Sequence, residues 1–160
     1  MEERTCCFTG HREIPQSHLP ALQKKLEETI RELVSQGFTR FEAGGALGFD
    51  TLAESTVLSL QKEFPEIQLV LVLPYLQQAK SWKMQDLVRY KEILRQVGEE
   101  NIFYVSQSYH RGCMQQRNRR LVDDSELCVA YCTQATGGTA YTVQYAEKKG
   151  VEVRNLADTL

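Results

Sequence analysis

The chain has 160 residues, 42% of them hydrophobic and 25% charged, with a net charge of −2. That is the balance of a soluble globular protein long enough to bury a core without metal or disulfide staples. It excludes a global electrostatic pull toward nucleic acid or membrane, while leaving a local basic patch open.

Strand and helix patterns alternate along the chain. "RTCCFTG" (4–10) is β-rich and ends in glycine. Residues 19–37 place Leu19, Leu22, Leu26, Ile30, Leu33 and Val34 on one helical stripe, with Pro20 in the first turn and Gly37 as a stop. A short strand over 39–44 precedes a helix over 50–64, with Asp50 available as N-cap. "QLVLVLP" (68–74) has the continuous apolar character of a strand buried on both faces. A helix over 83–98, a strand over 101–106, a helix over 111–124 and a strand over 126–132 follow. The chain closes with a helix over 139–150, stopped by Gly150, and a strand over 151–156. Six strands alternating with five helices predict an α/β fold, a Rossmann-like three-layer sandwich around a mainly parallel sheet, formed by residues 1–160 as one domain.

Nothing after the charges of "MEERTCCFTG" resembles the apolar core of a signal peptide, and the longest apolar run is too short to span a bilayer. Five cysteines without CxxC spacing read as reduced thiols of a cytoplasmic protein. The three histidines show no ligand spacing, so no metal and no certain cofactor is expected.

In such sheets ligands bind beyond the carboxyl ends of the strands. The unusual residues of this chain fall there. "AGGALGFD" (43–50) puts Gly44, Gly45 and Gly48 between a strand and a helix, where backbone N–H groups and the helix dipole meet phosphates. A tight turn with an Asp cap is the alternative, because glycine also serves turns alone. "TGGTAYT" (136–142) repeats the pattern with Gly137, Gly138 and Thr139. Two such turns on one sheet edge favour phosphate binding at one or both. "GHR" supplies Gly10, His11 and Arg12, the arginine suited to a phosphate or carboxylate, or to a structural ion pair. Arg117 and Asn118 are placed to reach the site. Arg119 points elsewhere, and the other arginines are solvated or paired with Asp123, Asp124 or a partner subunit. Trp82 is suited to stack on a base, or to pack as an edge ring.

"CCFTGHR" (6–12), "GGALGFDTLAE" (44–54), "RNRRLVDDSELCVAY" (117–131) and "GGTAYT" (137–142) together resemble the YpsA-like branch of the SLOG superfamily. That superfamily also contains the DNA-processing protein DprA (Smf) and the LOG phosphoribohydrolases. The resemblance implies a Rossmann-like domain whose glycine loops bind a nucleotide or nucleotide-derived ligand. It places Gly10, Arg12, Gly44 to Asp50, Arg117, Asn118 and Gly137 to Thr139 around it. The LOG enzymes carry PGGxGTxxE, whose glutamate helps cleave the N-glycosidic bond. Here Thr142 stands where that glutamate would be, so binding is expected over turnover, with Asp50 and Glu54 as the candidate catalytic substitutes. A sensor or regulatory role is therefore expected, with a phosphoribohydrolase acting on nucleoside monophosphates as the alternative. DprA-like binding of single-stranded DNA comes third, opposed by the acidic balance and supported in part by the arginine cluster and Trp82. A homo-oligomer is left open.

Overall fold

The computed structural model describes residues 3–160; Met1 and Glu2, which open the stretch read for a leader, lie outside them. The strands are β1 (Arg4–Gly10), β2 (Phe38–Ala43), β3 (Gln68–Tyr75), β4 (Ile102–Ser106), β5 (Leu127–Tyr131) and β6 (Glu152–Asn155). Between them lie α1 (Leu19–Ser35), α2 (Phe49–Leu60), α3 (Met84–Val97), α4 (Cys113–Asp123) and α5 (Gly138–Lys148). These match the sequence expectations to within a few residues at each end, the largest difference being α2, which stops at Leu60 rather than 64.

All five strand pairings are parallel, in the order β4-β3-β2-β1-β5-β6. The chain winds outward from β1 to β4, then returns to β5 on the other side of β1. Right-handed crossovers must place helices on opposite faces when the winding direction reverses. Accordingly α1, α2 and α3 pack beside one another on one face, and α4 and α5 on the other. The result is a Rossmann-like α/β sandwich.

Alternation along β1 shows the two faces directly. Cys6 and Phe8 join Leu22, Leu26, Ile30 and Leu33 of α1 and Phe41 of β2 in the larger core, while Cys7 joins Leu121 and Val122 of α4 and Ala146 of α5 in the smaller. Helix α1 ends where expected, with Gly37 in the left-handed region at φ 95° and its N–H donating to the Val34 carbonyl at 3.0 Å.

One strand position breaks the apolar pattern. Glu42 of β2 is fully buried, with Oε2 accepting from Arg40 Nε at 2.9 Å and Oε1 without a partner among the described residues. Burial, opposed by Arg40 and reinforced by Asp124, pushes its carboxyl up to about 7.

Candidate functional site

The reversal of winding falls between β1 and β5, so the crevice outside their carboxyl ends is the topological switch point. Two loops leave there, at His11–Arg12 and at Cys132–Thr133. A third, the β2–α2 loop, is stitched to the first. Phe49 N–H donates to the His11 carbonyl at 3.1 Å, and a Cβ on Gly10 would overlap the Phe49 ring.

The β2–α2 loop is held from beneath. Glu54 Oε2 accepts from Gly45 N–H at 3.0 Å and Asp50 Oδ2 from Ala46 N–H at 3.2 Å. Thr51 Oγ1 donates to the Ala46 carbonyl at 2.9 Å, and Arg117 Nη1 donates to that of Gly44. Asp50 is therefore not the N-cap expected from the sequence. Gly48 holds that position, and Asp50 lies inside the first turn with its carboxylate turned back to the loop. The amides of Gly45 and Ala46 are taken by the protein's own carboxylates, which leaves neither for a phosphate.

The glycines have internal explanations as well. A Cβ on Gly44 would meet the Arg117 guanidinium, one on Gly45 would overlap Leu73, and one on Gly48, at φ 84°, would overlap the Arg12 carbonyl oxygen. The close approach that the sequence signals is thus made by other parts of the same chain. At Gly137 and Gly138 a Cβ would meet nothing within 4 Å. The first-turn amides of α5 there, on Gly138, Thr139 and Ala140, have no acceptor among the described residues.

Electrostatics follow the burial. Arg117, Asp50 and Glu54 are all buried. Burial raises Asp50 to about 6, against the lowering pull of the Arg117 charge and of the Ala46 and Gly44 amides. Burial and then the Asp50 charge push Glu54 well above the usual carboxylate range. Burial lowers Arg117, opposed by both carboxylates. One buried guanidinium thus faces two buried acids, both of which burial raises.

At the switch point, His11 Nε2 accepts from Thr133 N–H at 2.8 Å, tying the ends of β1 and β5 together. Burial lowers the His11 pKa, which favours the neutral ring that this acceptance requires. Tyr131 packs edge-on to His11 at 5.6 Å, and its hydroxyl lies 2.8 Å from His18 Nδ1. A cavity of about 540 Å³ opens here, lined by His11, Arg12, Tyr131, Thr133 and Gln134 among others.

Arg12 also borders a cavity of about 580 Å³ with Leu47, Tyr75, Gln78, Trp82 and Arg117, and a larger one of about 750 Å³ with Leu47, Gly48, Thr51, Trp82 and Tyr90. Trp82 is half-buried and packs edge-on to Tyr90 at 5.0 Å. Of the residues expected at the site, the structure therefore brings Arg12, Trp82 and Arg117 to one cavity, Arg12, Gly48 and Trp82 to another, and His11 and Arg12 to the switch-point cavity, while Gly137, Gly138 and Thr139 line none of them. Gly10, Gly44, Gly45, Asp50 and Glu54 lie beneath as scaffold. Asn118 lines none of these cavities; its Oδ1 accepts from Arg117 Nε at 2.8 Å. The other arginines of α4 pair locally, Arg119 with the Tyr141 hydroxyl at 3.0 Å and Arg120 with Asp124 at 3.7 Å.

Sequence reasoning missed Gln78, whose Nε2 donates to the Tyr90 hydroxyl at 3.1 Å and reaches the Gly45 carbonyl at 3.4 Å, and Thr133, the partner of His11. No local pattern marks either residue. A signal for Arg117 was present: it sits midway along the buried stripe Cys113, Arg117, Leu121 of α4, a core position for a charge.

A family model described as the YspA SLOG family (YpsA) matches residues 7–157. The uncharacterized SPbeta prophage-derived protein YoqJ of Bacillus subtilis (strain 168) is 33% identical over 138 residues, covering 79% of this chain and 81% of that protein. A UPF0398 protein of Bacillus velezensis is 26% identical over 133 residues, covering 80% of this chain and 71% of its own. Among solved structures, DNA processing protein A from Helicobacter pylori, described for its single-stranded DNA binding mode, superposes with a TM-score of 0.68 at 19% identity over 94% of this chain. The corresponding protein from Streptococcus pneumoniae gives 0.67 at 13% identity, again over 94% of this chain. This chain spans only 63% and 49% of those two proteins, and at such identities the likeness is one of fold.

Proposed function

This chain belongs to the YspA SLOG family, and from that premise we propose that it binds a nucleotide or nucleotide-derived ligand as a sensor or regulatory protein. The observation that carries this reading is the position of Arg12. Its exposed side chain has no hydrogen-bond or ion-pair partner among the described residues, and it borders the switch-point cavity and both cavities that Trp82 lines. In this reading Arg12 takes the phosphate and Trp82 receives the base. His11 positions the β5–α5 loop through Thr133 rather than transferring protons.

Turnover is disfavoured by what occupies the position of the LOG glutamate. Thr142 is fully buried and donates its hydroxyl to the Gly138 carbonyl at 2.9 Å. It is neutral and turned into the helix, so it offers nothing to a cation developing at a sugar. Asp50 and Glu54, the candidate substitutes, are spent on the amides of the β2–α2 loop. Single-stranded DNA as the ligand draws support from the fold shared with DNA processing protein A.

Native mass spectrometry of the purified protein, before and after addition of a panel of nucleoside monophosphates, tests the reading. A bound mass equal to a nucleotide supports it, and no adduct from any member of the panel contradicts it.

A further inference from the structure

We propose that a second base-binding subsite lies at the carboxyl ends of β3 and β4, so that the ligand is a two-base species, a 5′-phosphorylated dinucleotide unit. This rests on the nucleotide reading of the Arg12 site and extends it. A further cavity, of about 580 Å³, opens beside the one that joins Trp82 to Arg117 and shares Tyr75, Gln78 and Ser81 with it. Each is by itself the size of a small-molecule site, about 300–1,000 Å³.

The lining of this cavity suits a nucleobase. Tyr75 and Tyr109 meet edge to face at 5.5 Å and 75°, and Tyr109 is 65% exposed, so a face of its ring is open to stacking. The side-chain amides of Gln77 and Gln107 have no partner among the described residues, and each supplies both a donor and an acceptor for the edge of a base. Lys80 on this cavity and Lys83 on its neighbour have no carboxylate partner among the described residues.

Taken along the sheet edge, the order is Arg12, Trp82 with Lys83, then Lys80 with Tyr109. A terminal phosphate at Arg12, a base on Trp82, a linking phosphate at the lysines and a second base on Tyr109 follow that order. The same chemistry is offered by a free dinucleotide and by a stretch of single strand.

The test compares binding of 5′-AMP, the 5′-phosphorylated dinucleotide pApA and decadeoxyadenylate to the wild type, Arg12→Ala, Tyr109→Ala and Gln107→Ala. Tyr109 and Gln107 are exposed, and circular dichroism verifies that the variants fold. Expected are tighter binding of pApA than of AMP, a loss of about five- to a hundredfold for pApA in Tyr109→Ala, and unchanged AMP binding in that variant. Decadeoxyadenylate binding well above pApA, with affinity falling steeply in salt, assigns the single strand; equal affinity assigns the free dinucleotide. AMP binding that depends on Arg12, with pApA no tighter and Tyr109→Ala silent, overturns the second subsite and leaves the first. Binding of none of the three probes overturns both.

Discussion

Arg117 fills the space above Gly44: its guanidinium donates to the Gly44 carbonyl, and a Cβ on Gly44 would come within 2.8 Å of Cζ. A residue from α4 on one face of the sheet thus fixes a loop that opens α2 on the other. Beneath the loop, Asp50 and Glu54 hold the amides of Ala46 and Gly45. The loop is preorganised by a buried cation and two buried acids rather than by a ligand.

Replacing Arg117 with Met should therefore destabilise the fold, because Asp50 loses its counter-charge. Leaving the buried Gly44 carbonyl without its donor costs about 1–3 kcal/mol, and the lost charge interaction with Asp50 adds to it. Urea unfolding measures this, and Arg117→Met combined with Asp50→Asn should recover part of the loss. An unchanged midpoint in Arg117→Met would remove the cation from the scaffold.

The two glycine loops should respond oppositely. Gly48→Ala adds a Cβ against the Arg12 carbonyl at φ 84°, and strain with overpacking should cost about 2–4 kcal/mol. Gly138→Ala meets nothing within 4 Å and should stay within about 0.5 kcal/mol of wild type. Melting temperatures of the two variants give the comparison.

That contrast marks what the sequence disclosed. Strand and helix alternation was legible from period and punctuation, as at Pro20 and Gly37, and so was the concentration of unusual residues at the strand carboxyl ends. The strand order was not, since nothing local distinguishes β5 returning beside β1 from β5 continuing outward. Glycine at 44, 45 and 48 announces that something comes close. What comes close is Arg117, 73 residues away from Gly44, along with Leu73 and the Arg12 carbonyl, and only the fold brings them there. Asp50 looked like a cap because it stands at a helix start; its carboxylate instead takes the Ala46 amide.

Glu42 gives the protein a stability that depends on pH. Its carboxyl titrates at about 7 when folded, against an ordinary 4.5. The folded chain therefore holds a proton that the unfolded chain has released, and this contribution is fully present below 4.5 and lost as pH rises to 7. Glu42→Gln removes the effect. The stability of the variant relative to wild type should rise by about 2 kcal/mol between pH 5 and pH 8. Urea midpoints at the two pH values read the difference, in which the opposing contribution of His11 cancels. A gap that does not change with pH would mean that Glu42 is ionised in the fold.

Incubation with a panel of nucleoside monophosphates should release little free base. Losing a single electrostatic partner in such a transition state commonly costs about 10²–10³ in rate. Chromatography of wild type beside Asp50→Asn and Glu54→Gln decides it. Brisk release that disappears in either variant would identify that residue as the carboxylate and the protein as a hydrolase.

Calorimetric titration of 5′-AMP and adenosine into wild type and Arg12→Ala decides whether Arg12 receives a phosphate at the switch point. A charge-assisted contact is worth about 1.5–3 kcal/mol. The variant should therefore bind AMP roughly ten- to a hundredfold more weakly while its affinity for adenosine stays the same. Equal losses for both, or AMP binding indifferent to Arg12, would contradict the account.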